Sequence, residues 1–194
     1  MRVSAHPSFW SRFFRGRGFS LIELLIVLAI IALITAVVLA RYKSFNSTLL
    51  LRNLAYEIAL SIREAQTFGI SVRGAGGAFT RAYGMHFTPG TTYTLFRDED
   101  DNGRFDTSAD EIVSAYTIGQ GNAVSDLCAG AVCGLAALDI IFKRPEPDAL
   151  FSACTSPTAC AAAPSADSVR VVVVSSGGNT RTVRVSPTGQ IAVE

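Results

Sequence analysis

Neither sign of charge dominates this 194-residue chain, in which 17 basic residues face 16 acidic ones for a net +1. That balance excludes a nucleic-acid binder working by bulk electrostatics, which needs a strong basic excess. Charged residues make up only 17% of the chain, which is low for a soluble domain. Histidine is nearly missing. His86 sits between Met85 and Phe87 in a strand-like run, where a lone histidine is far more often structural than a catalytic base. No G-x-S-x-G elbow or metal triad accompanies it. Gly74-Ala75-Gly76-Gly77 is not a phosphate loop, because no Lys-Ser/Thr follows and it closes a helical pattern. The sequence predicts a protein that is not an enzyme.

What is abundant is apolar residues, and they are concentrated. Residues 1–18 carry Arg2, Arg12, Arg15 and Arg17 and no acid. The next 22 residues, Phe19 to Ala40, contain a single charge, Glu23. As a helix they would span roughly 33 Å, enough for the hydrocarbon core of a bilayer. A secretory signal has a shorter apolar run and a small-residue cleavage site. Here Arg41, Tyr42 and Lys43 follow instead, so the span is expected to be retained. The basic leader favours a cytoplasmic N-terminus, although Arg41 and Lys43 reduce the asymmetry.

Glu23 is the anomaly. A carboxylate within a membrane helix costs on the order of 2.5–3.5 kcal/mol on insertion scales and needs a partner or a reason. Lying four residues into the span, it could sit among the headgroups. Its neighbours point elsewhere. Gly18-Phe19-Ser20-Leu21-Ile22-Glu23, continuing into LLIVLAIIALITAVVLA after a basic leader, resembles the prepilin signature of type IV pilins and type II secretion pseudopilins. The resemblance implies that a prepilin peptidase cuts after Gly18 and N-methylates Phe19. It also implies that Glu23 pairs with the terminal amine of a neighbouring subunit, where two buried opposite charges compensate each other.

Beyond the span, Phe45, Leu49, Leu51, Leu54, Ala55, Ile58, Ile62 and Ala65 recur at spacings of three and four, as on one face of a helix. Arg52, Glu57, Arg63 and Glu64 fall mainly opposite. The pattern predicts one long helix over roughly 19–72, with Gly74–Gly77 as its stop. After it the helical period disappears. Strands are predicted at 81–87, 91–97, 111–118, 137–143, 168–175, 180–186 and 190–193, punctuated by Pro89-Gly90, Gly177-Gly178-Asn179 and Pro187-Thr188-Gly189. Valine-rich strands with short connections predict antiparallel pairing with one face under the helix. The fold class is therefore α+β, and the resemblance implies the type IV pilin-like arrangement of a long helix packed on a C-terminal sheet. Ile140–Ala149 and the final NTRTVRVSPTGQI resemble the C-terminal domain of GspH/FimT-type pseudopilins and minor pilins.

Four cysteines, Cys128, Cys133, Cys154 and Cys160, all follow the span. An exported domain would oxidise them. Their spacings permit Cys128–Cys133 and Cys154–Cys160 loops, but three connectivities exist and spacing does not choose. A zinc site is the rival, against which the spacings miss CxxC and no histidine lies close. Asp98, Asp100, Asn102 and Asp106, with Gly103, follow the first half of a calcium loop, oxygen ligands alternating before a turn glycine. The twelfth position is Ala109, with Asp110 and Glu111 displaced by one and two, and no helices flank the loop. The alternative is a solvated acidic turn. Some GspH/FimT-type proteins end in a glycine-arginine-rich motif linked to DNA uptake. This chain ends Pro187-Thr-Gly-Gln-Ile-Ala-Val-Glu194, without arginine. Arg181 and Arg184 lie nearby on opposite strand faces, a weak footprint for DNA.

The expected organisation is a leader at 1–18, a membrane or filament-core helix at 19–40, and its amphipathic continuation at 41–73. A β-rich domain follows at 74–194, with a loop-rich insertion at about 119–167. The expected role is a minor pilin or pseudopilin of a type IV pilus or type II secretion system. It would be held in the inner membrane with its C-terminal domain exported until it joins a filament. Its partners would be other pilin subunits, the prepilin peptidase and the inner-membrane assembly platform, and an assembly ATPase would supply the work. The rival is a signal-anchored exported binding module, for example a DNA-uptake receptor subunit. Without the four leader arginines, residues 19–194 hold 13 basic and 16 acidic side chains, a balance of −3, which weakens that rival further.

Overall fold

The computed structural model describes residues 18–71, 81–156, 159–163 and 166–194. Leader residues 1–17 and the expected glycine stop at 74–77 lie outside the described residues. The chain forms two compact units, Met1–Lys43 and Ser44–Glu194. Among the described residues there is one α-helix, α1 (Leu21–Ile70), which starts in the first and ends in the second.

In the first unit, Leu21–Leu39 is a 19-residue stretch of mean hydropathy 3.1, with none of its side chains buried by protein. A helix apolar all round has no polar face to turn to water, and at about 1.5 Å per residue this one is long enough to cross a bilayer core.

In the second unit the helix becomes one-sided. Leu51, Leu54, Ala55, Ile58, Ile62 and Ala65 are buried, while Arg52, Glu57, Arg63 and Glu64 are exposed. Each fully buried Leu or Ile in this stripe contributes roughly 1.5–3 kcal/mol of transfer free energy. Leu49, expected on the same face, is 43% exposed. Two residues before Leu51 is about 200° around the helix, so Leu49 cannot share its stripe.

The helix packs on strands in two antiparallel sheets, where the sequence had suggested a simpler arrangement. The first sheet contains β1 (Ala82–Phe87), β2 (Thr92–Asp98), β3 (Glu111–Thr117), β6 (Ala137–Phe142), β7 (Ala149–Ser156) and β8 (Ala159–Ala162), in the order β3-β2-β1-β6-β7-β8. The second contains β4 (Ala123–Ala129), β5 (Val132–Cys133), β9 (Val169–Val174), β10 (Thr180–Val185) and β11 (Ile191–Val193), in the order β11-β10-β9-β4-β5. The main core joins the buried helix stripe to Met85, Leu95 and Ile140 of the first sheet and to Val171, Val173 and Val183 of the second. All seven predicted strands are present within a residue or so of their expected bounds.

The segment 119–167, expected to be a loop-rich insertion, instead supplies β4 to β8. Every residue of β6 is buried, and β6 bridges β1 and β7 near the middle of its sheet. Strands β7 (ALFSACTS) and β8 (ACAA) are rich in alanine, serine and cysteine. Their intrinsic strand preference is low, so the pairing of β7 to the buried β6, and of β8 to β7, decides their conformation.

Candidate functional site

Three groups of residues carry chemistry, each within one unit. The first is the N-terminal segment. Gly18, Phe19 and Ser20 precede the helix, are not helical and are exposed, Phe19 to 80%. The carbonyl of Ser20 accepts the N–H groups of Glu23 (3.0 Å) and Leu24 (3.2 Å), closing the first turn. Serine before a helix and glutamate three residues later are the pairing that satisfies otherwise orphaned N–H groups at a helix start. Glu23 also places its negative charge in the first turn, the end of the helix dipole that favours anions. The Gly18–Phe19 bond thus lies in non-helical backbone, two residues ahead of a defined helix start.

The second group is the loop between β2 and β3. Asp98, buried at the end of β2, accepts N–H groups from Asn102 (3.2 Å) and Gly103 (2.9 Å). Gly103 takes φ = +74°, the left-handed conformation that glycine adopts without steric cost. The Asn102 amide nitrogen donates to Asp100 (2.8 Å) and Asp106 (2.7 Å), while its oxygen accepts the Arg104 N–H (2.9 Å). Backbone bonds from Ala109 and Asp110 to the Asp106 carbonyl turn the chain back. Asp110 then accepts N–H groups from Glu99 (3.0 Å) and Asp106 (2.7 Å).

Carboxylate oxygens of Asp98, Asp100 and Asp110 all come within 4.8 Å of one another. Of the four residues singled out from sequence, Asp98 and Asp100 converge directly, and Asn102 links Asp106 to Asp100. Asp110, one place beyond the twelfth position, completes the cluster. Only the turn at 106–110 brings it in, and the regular calcium-loop spacing does not encode that turn. Burial pushes the carboxyls of Asp98 and Asp110 above the usual range, whereas the Asn102 amide and then Arg104 pull Asp106 below it. Clustered carboxylates of this kind offer hard oxygen ligands to a cation such as calcium. The loop is also closed by its own N–H donors.

A residue pair that sequence reading passed over fastens this loop to the first sheet. His86 on β1 and Asp139 on β6 are direct cross-strand partners, with Nδ1 and Oδ1 2.6 Å apart. The other oxygen of buried Asp139 accepts the Phe105 N–H at 3.2 Å. The Phe105 ring packs on His86 and on Phe96, centroids 4.6 and 5.1 Å apart. With Ala82, Phe96 and Ile141 it forms a small second core on the face of the sheet away from the helix. The signal was the parity of 139 and 141 on a strand, which sets Asp139 on that outer face.

The third group is the cysteines. Cys128–Cys133 and Cys154–Cys160 are disulfides, and no free cysteine remains. Each joins directly opposed residues, the first across β4 and β5 and the second across β7 and β8. Each therefore fastens a short outermost strand to its sheet. Arg181 and Arg184 are not brought into one patch. Arg184 donates to the Ser168 hydroxyl (3.0 Å) and lies 3.9 Å from Glu194, whereas Arg181 sits opposite Val173 with the other parity.

Residues 14–39 match the family described as the prokaryotic N-terminal methylation motif. That match and the apolar helix give the chain a type IV pilin-like prepilin signature and the character of a membrane-anchored protein. No curated protein and no solved structure matches the chain significantly.

Proposed function

We propose that this chain is a minor pilin or pseudopilin, a mechanical subunit with no catalytic task. The N-terminal methylation motif at residues 14–39 carries the proposal, with the Gly18–Phe19 bond exposed just ahead of the helix. Prepilin peptidase would cut after Gly18 and methylate Phe19. Before assembly, Phe19–Ala40 would store the subunit in the inner membrane. During assembly on the inner-membrane platform, such helices would bundle with those of other pilin subunits. Glu23 would set the register by pairing with a neighbour's terminal amine, since an unpaired carboxylate there costs about 2.5–3.5 kcal/mol. The α+β unit from Ser44 to Glu194 would then face outward in a pilus or secretion pseudopilus.

The disulfides support residence of that unit in an oxidising compartment. The separation of Arg181 from Arg184, and the Glu194 beside Arg184, give the DNA-receptor reading nothing further to stand on. Mass spectrometry of the protein from its native membrane tests the proposal. The expected N-terminus is N-methyl-Phe19. An intact leader, or cleavage at another bond, removes the proposal.

A further inference from the structure

A cavity of about 280 Å³ lies between the helix in the second unit and the turn that follows β3. Its rim is polar and exposed, formed by Asn53 and Glu57 of α1 and by Thr117 and Gln120. Its depth is formed by Leu54, Tyr93, Ile118 and Asn122, all more than nine-tenths buried. The Asn122 side chain is the unexplained member. It is 6% exposed, and no described residue hydrogen-bonds its carboxamide. Its carboxamide atoms are not sealed from solvent, so at the cavity they stay open to the donors and acceptors of a ligand.

The turn beneath it is also unusual. The Asn122 N–H donates to the Gly119 carbonyl at 3.2 Å, and both central residues are left-handed, Gln120 at φ = +61° and Gly121 at φ = +73°. Such turns call for glycine, asparagine or aspartate at the first central position. Here a glutamine is held there, on the lip of the cavity, a backbone cost of the kind that accumulates at binding sites.

The chemistry of the lining selects the ligand. Three carboxamides each present donors and an acceptor, two hydroxyls add to them, and Glu57 is the single charge. An anion would meet that carboxylate with no cation to offset it, and a metal ion would find too few charged ligands. A neutral molecule bearing several hydroxyls on a compact ring satisfies both the amides and the apolar floor. The volume lies just under the roughly 300 Å³ at which sites for drug-sized ligands begin, which suits one ring.

We propose that this cavity binds one monosaccharide unit of a glycan, held by the carboxamides of Asn53, Gln120 and Asn122 and the carboxylate of Glu57. Its aliphatic ring face would rest on Leu54 and Ile118. Nothing in this binding depends on filament assembly.

Saturation-transfer NMR on the full chain tests it, in a zwitterionic detergent because glycoside detergents would themselves carry the ligand. The probes are the methyl glycosides of glucose, galactose, mannose and N-acetylglucosamine at millimolar concentration. The expected result is transfer to ring protons of at least one probe, reduced several-fold in Asn53→Ala and in Gln120→Gly. Neither variant threatens the fold, since Asn53 is exposed and glycine accepts the left-handed turn position. No transfer to any of the four probes overturns the proposal, as does undiminished transfer in both variants. Transfer confined to glycylglycinamide, run alongside, would make the ligand a peptide and also overturn it.

Discussion

Gly69 of α1 lies directly on Phe142 of β6, so close that a Cβ at position 69 would fall 2.4 Å from the Phe142 carbonyl oxygen. The obstruction is backbone, which cannot swing aside. Glycine inside a helix normally costs about 1 kcal/mol against alanine, so an alanine here gains helix propensity and loses the close approach. The clash is expected to win. Gly69→Ala should destabilise the second unit by about 1–3 kcal/mol, as overpacking does elsewhere, read as a lower midpoint in thermal or denaturant unfolding. A midpoint that stays level or rises would show that the helix can lift from β6 without cost.

Tyr93 supplies a test at alkaline pH. Its ring is 2% exposed and stacks between Phe87 and Tyr116. Burial pushes its phenol up to about 12 from 10.0. A folded-state value above the unfolded one means a contribution present below pH 10 and lost as pH rises through 12. Two pH units correspond to at most about 2.7 kcal/mol. The wild-type chain should therefore lose stability steeply across that window. Tyr93→Phe should flatten that limb, because phenylalanine has no phenol to ionise, and it gives up a 3.4 Å contact with the Ser61 hydroxyl. Absorbance of tyrosinate against pH, followed with circular dichroism, reads both effects.

Removing the disulfides should be tolerable singly and costly together. Each closes a loop of only five or six residues, for which the chain-entropy argument gives about 2 kcal/mol. Cys128→Ala/Cys133→Ala is expected to loosen β5, and Cys154→Ala/Cys160→Ala to loosen β8, visible as faster amide exchange in those strands alone. Uniform loss of protection across both sheets would mean that the bonds hold more than the outermost strands.

Calcium should act through the loop at 98–110. The carboxyls of Asp98 and Asp110 are disfavoured as anions by burial, and a bound dication would relieve that cost. Millimolar calcium is expected to raise the melting midpoint by a few degrees at neutral pH, and Asp110→Ala should abolish the rise. No shift with calcium would leave the loop as a turn closed by its own hydrogen bonds.

The helix and seven of the strands could be read from sequence because their signals are local. The 22-residue apolar run, the i, i+3, i+4 stripe from Leu51 to Ala65 and the valine alternation at 169–174 each need only a few neighbours for recognition. The strands at 123–133 and 149–162 could not be read in this way. Their small residues favour no conformation, and they become strands because partners hold them: β9, from far along the chain, pairs with β4, while β6 pairs with β7 and β7 in turn with β8. The acidic loop divides similarly. Asp98, Asp100 and Asn102 follow a local spacing, whereas Asp110 arrives by a turn and Asp139 by sheet register. The cavity beside Asn122 was illegible, since it depends on where a helix meets a turn more than sixty residues away.

Both disulfides are confined to single hairpins, Cys128–Cys133 and Cys154–Cys160, and neither joins one sheet to the other. Each partner is the nearest cysteine available along the chain, so the native bonds can form in either order as each hairpin is made. With six residues or fewer between bonded positions, the oxidised chain remains a nearly linear string when unfolded. It can be drawn out, passed along or refolded without first being reduced, and no bond traps the two sheets in a wrong mutual arrangement.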